Sequence, residues 1–132
     1  MGEFYAESGF PLDRLWATNS FSVLLNDPSL GSAWLLFDDR EAAGYAVLTV
    51  RFSMEHGGRD AFVDDLFVRS EHRRRGVGCA AMTALIAECR QRGVLALHVE
   101  VGPDNGPANA LYRRFGLVPR RDHRQVLTAN FE

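Results

Sequence analysis

The chain contains no lysine, and all fifteen of its basic residues are arginine. That absence excludes Schiff-base chemistry on a lysine, a lysine-bound pyridoxal phosphate and a Walker-type phosphate lysine. Cysteine is scarce. Cys79 and Cys89 stand ten positions apart in one helical stretch, about 15 Å at the helical rise and too far for a disulfide. No C-x-x-C pair occurs, so zinc-knuckle and thioredoxin motifs are out and no metal is expected. No apolar run approaches the ~20 residues of a membrane-crossing helix. The opening MGEFYAESG is acidic without an apolar stretch, unlike a signal peptide. Ala6 stands where a myristoylation motif wants Ser or Thr. The expectation is a cytoplasmic protein without membrane association.

What is present fits one globular domain over residues 1–132, with 46% hydrophobic and 24% charged residues. Disorder, a fibre and a repeat array are excluded. The net charge of −2 hides an uneven division. Residues 1–68 hold 4 Arg against 11 acidic residues, and residues 69–132 hold 11 Arg against 6. The whole is no nucleic-acid binder, but its second half suits a polyanionic ligand.

Periodicity places the elements. Glu3–Ser8 is a short helical stretch broken at Gly9-Phe10-Pro11, and Asp13 can cap a helix running to about Asn26. Ser32–Phe37 and Gly44–Phe52 read as a hairpin, and Asp60–Val68 follows the turn EHGGR as another strand. A polar loop, Arg69–Arg75, leads to a helix from Gly76 to about Arg92, stopped by Gly93. Leu95–Val101 alternates like a strand. Pro107 opens a helix through Phe115, and Gln125–Phe131 reads as a closing strand. The fold class is mixed α/β.

Arg73-Arg74-Arg75-Gly76-Val77-Gly78 lies between a strand and a helix. Two glycines let successive N–H groups turn into one concavity, and the helix start adds partial positive charge. That is a phosphate or pyrophosphate cradle, or else a solvated basic loop. Gly76-x-Gly78-x-x-Ala81 also fits the dinucleotide fingerprint, with Glu100 placed for a ribose. Seven residues, Arg69–Arg75, intervene between strand and glycines, which argues against that reading.

A further pattern, Asn105-x-x-Ala108-x-x-Leu111-Tyr112-x-x-x-Gly116-Leu117, follows the LALHVEV strand. With Asp64-Asp65-Leu66-Phe67-Val68 and Arg73-x-x-Gly76-x-Gly78, the chain resembles the GNAT superfamily of N-acetyltransferases. The resemblance covers roughly residues 12–131, most clearly 61–117. It implies a mostly antiparallel sheet with two parallel strands splayed apart, and acetyl-CoA as cosubstrate. Backbone groups of Leu66, Phe67 and Val68 would pair with the pantetheine arm. The segment Arg74, Arg75, Gly76, Val77, Gly78 and Cys79 would hold the pyrophosphate with help from the Arg73 side chain, and Asn105, Ala108 and Tyr112 would line the thiol arm. A backbone N–H of the first splayed strand would stabilise the thioester oxygen.

The resemblance makes Tyr112 the donor to the leaving thiol. Asp64 is the candidate base, with Glu55, Asp60, Asp65 and His98 as fallbacks. Period-two alternation places Asp64 with Leu66 and Val68, and Asp65 on the other face. Glu55, Asp64 and Asp65 would attract a cationic acceptor, a small-molecule or peptide amine. His56, His72 and His123 read as surface residues, and Cys79 as small packing beside the phosphates. Three departures stand out: Arg74 where the family favours Gly, Leu117 where it favours Phe, and no strand before the first helix. An uncovered sheet edge would favour a homodimer. The competing reading is an acyl-CoA-binding module without turnover.

Overall fold

The computed structural model describes residues 14–122 and 124–131. The expected helix at Glu3–Ser8, the Asp13 cap, His123 and anything ahead of the first helix lie outside that range. Helix α1 (Arg14–Asn26) leads into a hairpin of β1 (Gly31–Asp38) and β2 (Glu41–Ser53), and β3 (Gly58–Val68) follows. A 3-10 turn, Ser70–His72, precedes α2 (Val77–Gln91), then β4 (Ala96–His98) and α3 (Gly106–Arg114). The sheet order is β1-β2-β3-β4. The first three strands pair antiparallel, and β3 pairs β4 in parallel.

Alternation in β2 sorts the core into two layers. Ala46 and Leu48 join Ala61 and Val63 of β3 against Met82, Leu85 and Cys89 of α2 and Tyr112 of α3. Tyr45 and Val47 face the other way with Phe67, covered by Phe21 and Leu24 of α1. Leu48, Met82 and Leu85 are fully buried, each stabilising the fold by about 1.5–3 kcal/mol. The close strand approach fixes Gly44, where a Cβ would stand 1.9 Å from the Phe67 carbonyl oxygen.

Two expectations change. Residues 125–131 carry no strand, and Val126, Leu127 and Phe131 are exposed, because no described strand edge pairs with them. The LALHVEV strand shrinks to Ala96–His98, since its pairing with β3 ends at Phe62–His98. Beyond that pair the two chains separate. The shortening is the expected splay: among the described residues, Val63–Val68 have no strand on that side.

β3 also departs from strict alternation. Val47 pairs Asp65 and Leu48 pairs Val63, so Asp64 is the extra residue of a β-bulge. A bulge shifts the parity of everything beyond it. Leu66 therefore packs on the same core as Ala61 and Val63, while Asp64 stays exposed and Asp65 joins the Tyr45 face. Asp65 and Leu66 thus lie on opposite faces, as alternation placed them, and the bulge breaks strict alternation at Asp64 itself.

Candidate active site

The loop after β3 has the backbone geometry of an anion-binding turn. Arg74 adopts φ 64° and Gly76 φ 83°, both left-handed. A non-glycine residue rarely tolerates that region, which explains why glycine is favoured where Arg74 stands. Gly76 caps α2 without any side-chain hydrogen bond, so the first N–H groups of the helix, at Val77, Gly78 and Cys79, have no intrahelical acceptor. A Cβ on Gly78 would come within 3.2 Å of Leu111 of α3. Left-handed turns, unsatisfied donors and a helix start make an anion cradle.

His72 braces this loop and is buried, not a surface residue. Its Nδ1 lies 2.9 Å from Asp38 Oδ2 and its Nε2 3.3 Å from Glu41 Oε2. Arg75 also pairs with Asp38. The hydrogen bond from His72 holds the Asp38 carboxyl below the usual carboxylate range, with Arg75 adding to it. These contacts tie the loop to the tip of the β1–β2 hairpin. Sequence alone gave no sign of them, because the partners lie 34 positions apart.

Arg73 is exposed and folds back along the end of β3. Its Nε donates to the Val68 carbonyl at 2.8 Å, and its guanidinium lies 5.6 Å from the Phe67 ring. That carbonyl thus already accepts one hydrogen bond, with its second lone pair left for another donor. Asn105 caps α3 by accepting from Ala108 N–H at 3.3 Å, with Pro107 in the first turn. Cys79 is half-buried, its Sγ 3.4 Å from Arg114 Nη1.

Tyr112 is buried in the core beneath the splay. Burial raises its phenol above the ordinary value, so it holds its proton more firmly as a donor.

The acidic candidates separate. Asp60 is fully buried and fully engaged, by Arg51 at 2.8 and 2.9 Å and by His98 Nε2 at 2.9 Å. The Arg51 hydrogen bonds hold its carboxyl below the usual range, with His98 adding to them. Glu55 is paired with Arg120 at 2.9 Å and Arg124 at 3.4 Å, and the hydrogen bond from Arg120 lowers it. Neither offers a free carboxylate to a substrate.

Asp64 and Asp65 are the opposite case. Partial burial raises Asp64, and the Glu100 charge raises it further. Asp65 is raised by burial and by Asp64, although its hydrogen bond from Tyr45 at 2.9 Å acts against both. Glu100 is the residue that sequence reasoning missed as a partner. The signal was available, since His98 and Glu100 alternate together in LALHVEV. Beside Asp65, Tyr45 and Phe67 form one wall of an apolar cleft of about 640 Å³ that reaches Phe21 and Leu25 of α1.

Residues 2–117 match the model of the Acetyltransferase (GNAT) family. The chain belongs to this family. It is an acetyltransferase, and its fold is the GNAT fold. A protein of Bacillus subtilis (strain 168), named "Putative [ribosomal protein bS18]-alanine N-acetyltransferase", is 24% identical over 117 residues, 89% of this chain and 74% of its own length. The crystal structure of an integron cassette protein from the mobile metagenome of Cole Harbour Salt Marsh superposes with a TM-score of 0.85 at 40% identity. It covers 98% of this chain and 79% of that one. The structure of AAC(6')-Iy with the bisubstrate analogue CoA-S-monomethyl-acetylneamine shares the fold at a TM-score of 0.75 and 16% identity, covering 91% and 81% of the two chains. Among the described residues of this GNAT protein, no helix is long and apolar enough to cross a membrane.

Proposed function

We propose that this GNAT protein transfers an acetyl group from acetyl-CoA to a primary amine of a cationic acceptor. The observation that carries this is the splay after Phe62–His98, with the anion cradle of Arg74–Cys79 following from the splayed end of β3. The residues fit the cofactor. The cradle suits a pyrophosphate, and the strand side of Val63–Val68 suits an extended amide-bearing arm, as in strand addition. Bound acetyl-CoA supplies an activated thioester.

The chain's own residues do the rest. Asp64, with Glu100 behind it, holds the acceptor's ammonium and takes a proton from it, directly or through water. The raised Asp64 carboxyl is a better base than an ordinary aspartate. Tyr112 donates a hydrogen bond to the departing sulfur. A thiol near ~8.5 is a stronger acid than a phenol near ~10, so the proton is shared rather than handed over. Burial of Tyr112 accentuates that difference.

Asp64, Asp65 and Glu100 favour a small cationic amine as acceptor. The B. subtilis relative is named for a protein acceptor, and a peptide amine is the second candidate. Isothermal titration with acetyl-CoA, on wild type and Gly78→Glu, tests the donor site. Micromolar binding that Gly78→Glu weakens at least about 100-fold supports it, since the new side chain crowds Leu111 and adds negative charge at the start of α2. Absence of binding by the wild type would sink it. An amine and peptide panel with free-thiol detection then identifies the acceptor. Binding without turnover on any acceptor would favour an acyl-CoA-binding module.

A further inference from the structure

We propose that His56, Asp60 and His98 form a site for a transition-metal cation of the Zn²⁺ class. It lies on the paired half of β3, apart from the acyl-transfer residues. Three elements supply the donors: the turn before β3, β3 itself and the end of β4. One ligand atom from each residue lies within 4.8 Å of the other two. The two imidazole rings stand 5.7 Å apart.

The decisive detail is an orphan. His56 Nε2 is buried and has no hydrogen-bond partner among the described residues. Leaving a polar nitrogen unsatisfied in the interior is unfavourable, and a lone pair beside a carboxylate is a ready metal ligand. Two imidazole nitrogens and one carboxylate oxygen match the three-ligand zinc sites that keep a fourth position open.

Arg51 does not exclude the cation. Its Nε occupies Asp60 Oδ1, and its Nη2 shares Oδ2 with His98. A cation would take the Oδ2 lone pair that His98 now uses, with His98 Nε2 turning from donor to ligand. Arg51 would then orient the carboxylate from behind, as outer hydrogen-bond partners do at metal centres. Its positive charge opposes binding, but its side chain is 58% exposed, so water screens that repulsion. The ligand atoms must also draw together, since zinc bonds are about 2.0–2.2 Å. His56 sits in the short turn between β2 and β3, just ahead of Gly57-Gly58, where such movement is easy.

The occupant ties the Met54–Gly57 turn to both strands at the point where they part. No acyl-transfer step passes through it.

The test uses the full chain, stripped with chelator, free of any histidine tag, and titrated with Zn²⁺ by calorimetry. One equivalent should bind with a dissociation constant of about 10 µM or tighter. His56→Ala and His98→Ala should each weaken it at least about tenfold, and Cys79→Ser should leave it unchanged. Circular dichroism checks that each variant is folded. Co²⁺ bound to the wild type should show the visible absorption of a low-coordinate nitrogen–oxygen site, lost in His56→Ala. Three results overturn the proposal: no binding tighter than about 100 µM, binding that survives both histidine substitutions, or binding lost only with Cys79.

Discussion

Two halves of one strand treat the same side chain in opposite ways. In the paired half of β3, Asp60 is fully buried and held by Arg51 and His98, which lower its carboxyl. In the splayed half, burial with a carboxylate neighbour raises both Asp64 and Asp65. The difference is one of partners rather than depth. A buried charge met by donors becomes structural, and a half-covered charge met by like charge stays reactive. The division falls where β4 leaves the sheet.

Paired substitutions test that comparison directly. Asp64→Asn should lower kcat/KM by about 100-fold while acetyl-CoA affinity holds. Asp60→Asn should instead lower the melting temperature, because it removes the ion pair at a fully buried position. If Asp60→Asn stays folded yet loses more activity than Asp64→Asn, the roles are reversed. Tyr112→Phe comes next, with kcat reduced about tenfold or more and cofactor affinity unchanged. A matching loss of cofactor affinity would make Tyr112 a packing residue.

The pH responses should also differ in sign. Asp64 has a raised carboxyl, so its ionisation costs stability and protonation relieves that cost as pH falls through the raised value. Asp64→Asn should therefore hold or raise the melting temperature at pH 7, and should remove an acid limb of kcat/KM lying above the usual aspartate range. Asp38, lowered by His72 and Arg75, does the reverse. Its contribution is present above the unfolded value near 3.8 and is lost as pH falls through the lower folded value. An acid limb that survives in Asp64→Asn would move the base elsewhere. The smallest expected effect is that of His72→Gln, which should loosen the cradle and weaken acetyl-CoA binding about threefold to tenfold. Unchanged affinity would mean that the hairpin contacts serve folding alone.

Much of this molecule was legible beforehand. The hairpin, both long helices and the cradle follow from local signals: alternating apolar residues in β2, the 3.6-residue period of α2, and Gly76 placed to turn the chain. Even the departure at Arg74 was visible, though not that its backbone would take up the left-handed geometry. The closing strand at residues 125–131 failed because alternation specifies a strand only where an edge exists to receive it. The bulge at Asp64 was not legible, because a bulge carries no dependable mark in one sequence.

Sequence by itself determined the hairpin, the helices α1, α2 and α3, the family and the glycine turn at the start of α2, since each carries a signal among residues a few positions apart. Tertiary structure decided which carboxylates are partnered. Asp60 meets Arg51 and His98, Glu55 meets Arg120, and Asp64 meets the charges of Glu100 and Asp65. Those outcomes depend on which strands lie side by side and where they part, and a charge acquires its chemistry only from what the fold places within reach of it.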